Sequence, residues 1–360
     1  MGLYWYDYLA LGRLADVRTY PGLEAWTSIY KVFRQIMVDR TGNIRGPLRV
    51  TLDPGIGIPD PTRFPSESFE ACCVQRAREL LELAQRDKKM LVLMFSGGID
   101  STAIAVTFLK HFDYAHLRAK LVFATSTSAW IENPRFMHTH IAGKFELVSI
   151  RGLSAFSEGS AHIITGEMND YYLPNSQYRR LGAGAEAQLS AAYSSDAVYE
   201  YLAPSIKKPH ARMWAEILTA DFSRAPIERR TFGEFLWWVR FNWTRQAYKF
   251  LPLIALGTFE HVKSLDECNA RIHHFFESPS FEVWGMRNTD RSPRKRHLRE
   301  LIATFVDDPY WLETKQKYNS IAEVVMSRAV PVGVDADFKP IYEQRELLAH
   351  FDPANDFREH

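Results

Sequence analysis

Four short apolar-rich runs dominate the middle of the chain: Met90–Phe95, Leu121–Ala124, Phe145–Ile150 and His162–Thr165. None alternates strictly between apolar and polar residues, so they read as strands buried on both faces. Helical segments lie between and before them: Phe69–Arg86 leads into the first run, Thr102–Phe112 follows it, and Pro134–Lys144 precedes the third. Strands alternating with helices predict an α/β fold, a parallel sheet with helices on both faces. Ligands of such sheets sit beyond the carboxyl ends of the strands. Phe95, Ala124 and Thr165 stand at such ends, so the loops that follow them are expected to converge.

The flanks are patterned differently. Residues 1–70 form an extension of mixed structure. It holds an amphipathic helix over Ala25–Val38, a short strand over Leu48–Leu52 and a run of breakers from Asp53 to Pro61. Residues 71–185 make the α/β core, 186–330 read as mostly helical, and 331–360 read as a surface tail. Within the helical part, Glu234–Trp243 is dense in aromatics; a packed helix is the simpler reading and a substrate wall the alternative. No internal repeat is visible.

Bulk composition narrows the classes. The chain has 360 residues, and its 44 basic and 43 acidic side chains leave a formal charge of +1. That balance demands neither nucleic acid nor a membrane surface. Cys72, Cys73 and Cys268 are too few for a four-thiolate zinc site or a disulfide framework, and read as buried small hydrophobes. The aromatic opening Met1–Tyr8 is too short and polar for a secretory segment, and no apolar run reaches membrane-spanning length. A cytoplasmic enzyme is expected.

The chemistry concentrates in Phe95-Ser96-Gly97-Gly98-Ile99-Asp100-Ser101-Thr102, which reads as a strand end, a glycine turn and a helix start. Backbone N–H groups, hydroxyls and one carboxylate at the positive end of a helix suit a phosphate chain carrying a metal ion. Gly97 and Gly98 permit close approach of phosphate, and Ser96, Ser101 and Thr102 can donate from their hydroxyls. A carboxylate beside polyphosphate would repel it unless a cation lay between, which points to Asp100 as a Mg²⁺ ligand, with a plain helix cap as the bland alternative. The Walker spacing is absent, and no lysine stands at the helix start.

Ser96-Gly-Gly-Ile-Asp-Ser101 resembles the pyrophosphate loop of the N-type ATP pyrophosphatases, which include asparagine, β-lactam, argininosuccinate, NAD and GMP synthetases, tRNA thiolases and deazaguanine synthases. The resemblance implies an adenine nucleotide α-hydrolase-like fold and cleavage of ATP between its α- and β-phosphates. Thr165-Gly-Glu-Met-Asn-Asp170 is similar to the Gly-Glu-Gly-x-Asp-Glu segment of asparagine synthetases. Gly166, Glu167 and Asp170 fall on matching positions, while Met168 replaces a glycine and Tyr171 the last glutamate. By that likeness Asp170 is the second Mg²⁺ carboxylate beside Asp100, and Glu167 lies near the reacting carboxyl and incoming amine. Two carboxylates at neighbouring strand ends can share one cation over a departing diphosphate. Lys295-Arg-His-Leu-Arg299 resembles the Lys-x-x-Leu-Arg stretch of the same synthetases, whose lysine contacts the phosphates and the adenylation transition state. Arg287, Arg291, Arg294, Arg296 and Arg299 surround it, and a solvated basic face or a nucleic-acid patch is the alternative there. The main chain of Phe95, Ala124 and Thr125 matches the adenine-reading positions.

The resemblance, which spans roughly residues 75–325, implies an ATP-dependent ligase. A carboxylate substrate is adenylated with release of pyrophosphate, and ammonia or an amine then displaces AMP. Glutamine-hydrolysing members begin with a catalytic cysteine; this chain starts Met1-Gly2-Leu3 and has no cysteine before Cys72, so a separate protein supplying ammonia is one expected partner. Sulfur-inserting members need catalytic thiols and the deazaguanine synthases a cysteine-rich zinc site, neither of which three such cysteines suggest. A PP-loop enzyme acting on a nucleotide or nucleic-acid base, and a non-catalytic ATP-binding scaffold, are the other readings. His138 and His140 read as surface histidines rather than a metal pair, and Arg179 and Arg180 as candidates for holding a substrate carboxylate.

Overall fold

The computed structural model describes residues 21–33, 37–46, 53, 57–149, 159–172, 181, 184–228, 230–247, 249, 265–288, 295–306, 329–334 and 340–344. The apolar runs become β1 (Met90–Phe95), β2 (Leu121–Thr125), β3 (Glu146–Ser149) and β4 (Ala161–Thr165). A fifth strand, β5 (Ile272–His274), completes a parallel sheet of order β3-β2-β1-β4-β5. Leu91, Val92 and Leu93 of β1 are fully buried, so the central strand is covered on both faces, as its unbroken apolar pattern requires. The chain steps outward from β1 through β2 to β3, then crosses back to lay β4 on the opposite flank of β1. That reversal makes the carboxyl ends of β1 and β4 the switch point of the sheet, the place where ligands of open α/β sheets bind.

The helices follow their local signals. Phe69–Asp87 starts where the Ser68 hydroxyl accepts from the Ala71 N–H at 3.1 Å. It buries the stripe Phe69, Cys72, Cys73, Ala77, Leu80, Leu81 and Ala84, and ends at left-handed Lys88. The next helix, Ile99–His111, begins three residues before the expected Thr102 and draws Asp100 and Ser101 into its first turn. The stretch expected as one helix over Pro134–Lys144 is a single α-turn, Pro134–Phe136, running into a π-helix, Met137–Ile141. The expected helix Ala25–Val38 is divided into Pro21–Thr27 and Tyr30–Phe33, while Val38 donates its N–H to the Trp243 carbonyl at 2.8 Å. The expected strand Leu48–Leu52 lies outside the described residues.

The aromatic run forms the helix Phe232–Trp243, opened by a capping box: Glu234 N–H donates to Thr231 Oγ1 at 3.2 Å, and Thr231 N–H to Glu234 Oε2 at 2.9 Å. It is buried on nearly every side, so it is core rather than a substrate wall. Asp221 Oδ2 ties it down by accepting from Trp238 Nε1 (2.7 Å), Asn242 Nδ2 (2.8 Å) and Trp243 Nε1 (2.9 Å). Two departures belong to the C-terminal half. Ile272-His273-His274 is strand inside a region read as helical, because the open edge of β4 pairs with it. Where a surface tail was expected, Ala329–Val334 and Pro340–Gln344 form an antiparallel ribbon, β6 and β7, with a bulge at Pro331/Gly333. No helix among the described residues is long and apolar enough to cross a membrane.

Candidate functional site

The glycine turn is held by its own hydroxyls. Ser101 Oγ donates to the Gly98 carbonyl at 3.1 Å and accepts from Ser96 N–H at 3.2 Å, while Gly98 N–H donates to Ser96 Oγ at 3.3 Å. Thr102 is fully buried; its hydroxyl donates to the Gly97 carbonyl at 3.4 Å and accepts from Asn133 Nδ2 at 3.3 Å. The two glycines are not equivalent. Gly97 has φ +74°, and a Cβ there would stand 2.6 Å from the Ala129 carbonyl oxygen, so only glycine fits. Gly98 has φ −69° at the N-cap, a conformation open to any residue.

Asp100 is the meeting point. The 3-10 turn Glu167–Tyr172 follows β4, and its Asn169 Nδ2 donates to Asp100 Oδ1 at 2.6 Å. Lys295, 195 positions away in sequence, brings Nζ to 2.5 Å from Asp100 Oδ2. Gly166 makes the approach possible: a Cβ there would lie 3.2 Å from Asp100 Cβ and 3.4 Å from Ile104 Cδ1. Lys295 is the N-cap of the helix Arg296–Ala303, which packs along Ile99–His111. Lys110 Nζ joins the two by donating to Thr304 Oγ1 (2.7 Å) and ties them to the helix Phe69–Asp87 by donating to Glu70 Oε1 (2.6 Å). Lys295 takes a left-handed backbone, φ 51°, unusual for an N-cap and for any residue with a Cβ.

The acidic turn is anchored from below. Met168 is fully buried, which accounts for a long apolar side chain where the resembled motif has glycine. Tyr172 donates its hydroxyl to the Phe276 carbonyl at 2.9 Å, and Trp237 Nε1 donates to the Tyr172 carbonyl at 2.9 Å. Glu167 is half-buried at the start of the turn. Asp170 belongs to the same turn, and its side chain lies outside the described residues, as does that of Tyr171. Of the positions that the resemblance matches to adenine recognition, Phe95 and Thr125 stand on the last rung of the β1–β2 ladder, while Ala124 is flanked by Met94 and Val148. Thr125 Oγ1 and Asn169 Oδ1 are buried without a hydrogen-bond partner, both at the carboxyl edge of the sheet.

Several residues singled out by sequence serve elsewhere. Arg287 clamps the preceding loop, donating to the carbonyls of Pro61 (2.5 Å), Phe64 (2.9 Å) and Pro65 (2.7 Å). Arg296 pairs with Glu300 on its own helix at 2.7 Å. Arg179, Arg180, Arg291 and Arg294 lie outside the described residues. His138 packs on Trp130, and His140 lies between Phe136 and Phe305; burial, then the Lys144 charge, holds His140 below the usual imidazole range. No group of three metal-ligating side chains occurs among the described residues. The cysteines are buried: burial pushes the Cys72 thiol up to about 12 and Cys268 to about 11, and Cys73 well above its ordinary value. None offers a thiolate near neutral pH.

Sequence reasoning missed the buttress behind β4. Asp53, Glu277 and Glu282 meet Arg40, Arg245 and Lys249 in an interior ion network, with contacts from Lys249–Asp53 at 2.6 Å to Arg245–Asp53 at 3.3 Å. Burial alone would raise the Glu277 carboxyl, but Arg245 and Lys249 more than reverse it and hold it at about 2. His274 Nε2 bonds the Lys249 carbonyl at 3.0 Å, which leaves Nδ1 to accept the Thr165 hydroxyl at 2.6 Å. Burial keeps that imidazole neutral, pushed down to about 4. The end of β4, one residue before Gly166, is thereby tied to the network. Only the spacing of charges within apolar segments could have signalled it. Comparison with protein-family models, with curated proteins and with solved structures finds no match to this chain.

Proposed function

We propose that the chain is an ATP-dependent, AMP-forming ligase that joins a carboxylate to ammonia or an amine. The observation that carries this reading is the convergence on Asp100: the glycine turn after β1, the acidic turn after β4 and Lys295 meet at the switch point of the sheet. A carboxylate at a phosphate-binding turn needs a positive neighbour, and here it already draws one in the Lys295 ammonium. The donor chemistry fits a hard divalent cation: Asp100 would hold Mg²⁺ together with Asp170, water and phosphate oxygens filling the rest. Bound there, the ion would neutralise charge on the departing diphosphate.

In the proposed reaction a carboxylate oxygen of the substrate attacks the α-phosphorus, the bond from that phosphorus to the bridging oxygen breaks, and pyrophosphate leaves. Lys295 offsets charge on the phosphates as the bond breaks. The amine nitrogen then attacks the acyl carbon, the bond to the AMP oxygen breaks, and Glu167 takes the amine's proton. Buried, unactivated cysteines favour this amide-forming chemistry over sulfur insertion. Engagement of Arg287 with carbonyls removes one member of the basic cluster that suggested nucleic acid.

The experiment is incubation with ATP, Mg²⁺, ammonia and panels of carboxylic acids. Pyrophosphate and AMP are the expected products in equal amounts. Products limited to ADP and inorganic phosphate would overturn the reading.

A further inference from the structure

Asn169 sits at a position the resembled motif leaves open, and its surroundings are unusual. It is fully buried, between buried Met168 and a turn pinned by Tyr172. Its Nδ2 donates to Asp100 Oδ1 at 2.6 Å, while its own Oδ1 is buried with no partner. The carboxylate fixes which way the amide faces, since only the NH₂ end can meet it. An apolar residue of the same size would remove the orphaned oxygen but would also take the donor from the Asp100 carboxylate. Whatever the amide contributes here, it contributes through Asp100.

The two bonds to Asp100 differ in kind. Lys295 reaches Oδ2 on a flexible four-carbon stem, so that contact can exchange. Asn169 reaches Oδ1 from a turn packed into the core, so that contact stays. Held at one oxygen, the carboxylate keeps its torsion while the other oxygen changes partners. We propose that Asn169 is a positioning residue: it fixes Asp100 through Oδ1 so that Oδ2 is presented to the divalent cation of a bound nucleotide. This rests on the reading of the site as a Mg-nucleotide site and names a residue that the reading alone does not.

The test uses the full chain and its Asn169→Leu, Asn169→Ala and Asn169→Ser variants. Binding of an ATP analogue with a methylene bridge between the α- and β-phosphates is measured by calorimetry across a Mg²⁺ titration, and urea unfolding is followed without nucleotide. Loss of the donor is expected to raise half-saturating Mg²⁺ about 10-fold in the Leu and Ala variants, the usual effect of removing a partner that orients a metal ligand. The serine hydroxyl is expected to restore part of it. The urea midpoint of Asn169→Leu is expected to stay close to that of the parent, because removal of the orphaned oxygen offsets loss of the bond to Asp100. Wild-type Mg²⁺ dependence in Asn169→Leu would overturn the inference and leave the nucleotide site standing. Should the leucine variant not fold, the Ser and Ala pair decides, and equal Mg²⁺ dependence in those two overturns it. Failure of the parent to bind the analogue at any Mg²⁺ concentration would bring down the site reading and this inference together.

Discussion

The pair Asp100–Lys295 can be taken apart one charge at a time. Asp100→Asn and Lys295→Met each remove one charge with little change in volume, and the double variant removes both. The pair is close, 2.5 Å, and its side chains are 25% and 11% exposed. At an effective dielectric of about 20 and a charge separation of about 3 Å, the gross attraction is about 5.5 kcal/mol. Desolvation and water at the exposed edge reduce the net coupling to about 1–3 kcal/mol. Each single variant should therefore lose stability in urea unfolding without nucleotide, and the double variant should lose less than the sum. A coupling below about 0.3 kcal/mol, the error of simple additivity, would refute the claim that the two charges stabilise one another. Turnover separates structure from chemistry. Each single change is expected to reduce pyrophosphate release by about 10²–10³-fold. The double variant should remain inactive, and its recovery would mean that the pair is only structural.

Other perturbations follow from the same geometry. Gly97→Ala must adopt φ +74° and put a Cβ 2.6 Å from a backbone oxygen, so a loss of about 2–4 kcal/mol in urea unfolding is expected; Gly98→Ala, at φ −69°, should lose far less, and equal losses would contradict the turn. Gly166→Ala presses on Asp100 Cβ at 3.2 Å, so it should lower affinity for Mg-nucleotide about 10-fold in calorimetry, and unchanged affinity would separate this glycine from the site. His274 is held neutral down to about 4 against an ordinary 6.5, so on acidification the unfolded chain takes the proton first. Stability should fall from about pH 6.5 towards pH 4, by about 3 kcal/mol for this one imidazole, and His297, pushed down to about 3 by burial and then by Lys295, should extend the loss. The Glu277 contribution has the same sign at lower pH: it is complete above about 4.5 and disappears as pH falls through about 2. A urea midpoint that stays level between pH 8 and pH 5 would contradict the buried neutral imidazoles.

What the sequence revealed, it revealed through local physics. β1 and the glycine turn were legible because an apolar run, a Ser-Gly-Gly signal and a helix start follow one another within about a dozen residues, each with its own local cause. The convergence of Asp100 with the loop after β4 followed from strand-end logic without any contact being known. Three features were out of reach for reasons of distance or silence. β5 has three residues and no alternation; it is a strand because β4 had an edge to pair. The ion network joins residues from Arg40 to Glu282, and nothing local distinguishes its acids and bases from surface ones. Asn169 has no distinguishing signal in sequence, since an asparagine after a strand is ordinary turn chemistry. Its role emerges only from full burial and a bond to a residue 69 positions earlier.

Two unfavourable features of the fold meet at Asp100. Among the described residues two non-glycine positions have left-handed backbones. Lys88 ends a helix, where that conformation satisfies the last carbonyls. Lys295 begins one, its carbonyl accepting from the Leu298 N–H at 3.1 Å and the Arg299 N–H at 3.2 Å, and the left-handed conformation costs about 1–2 kcal/mol. Asn169 leaves an acceptor orphaned at a further cost of about 1–3 kcal/mol. Both residues bond the same carboxylate. Strain that served only to join two segments could be relieved by an apolar pair, with no charge to desolvate. Two such features on one carboxylate, at the switch point of the sheet and backed by a buried ion network, fit a site shaped for a charged ligand rather than for stability.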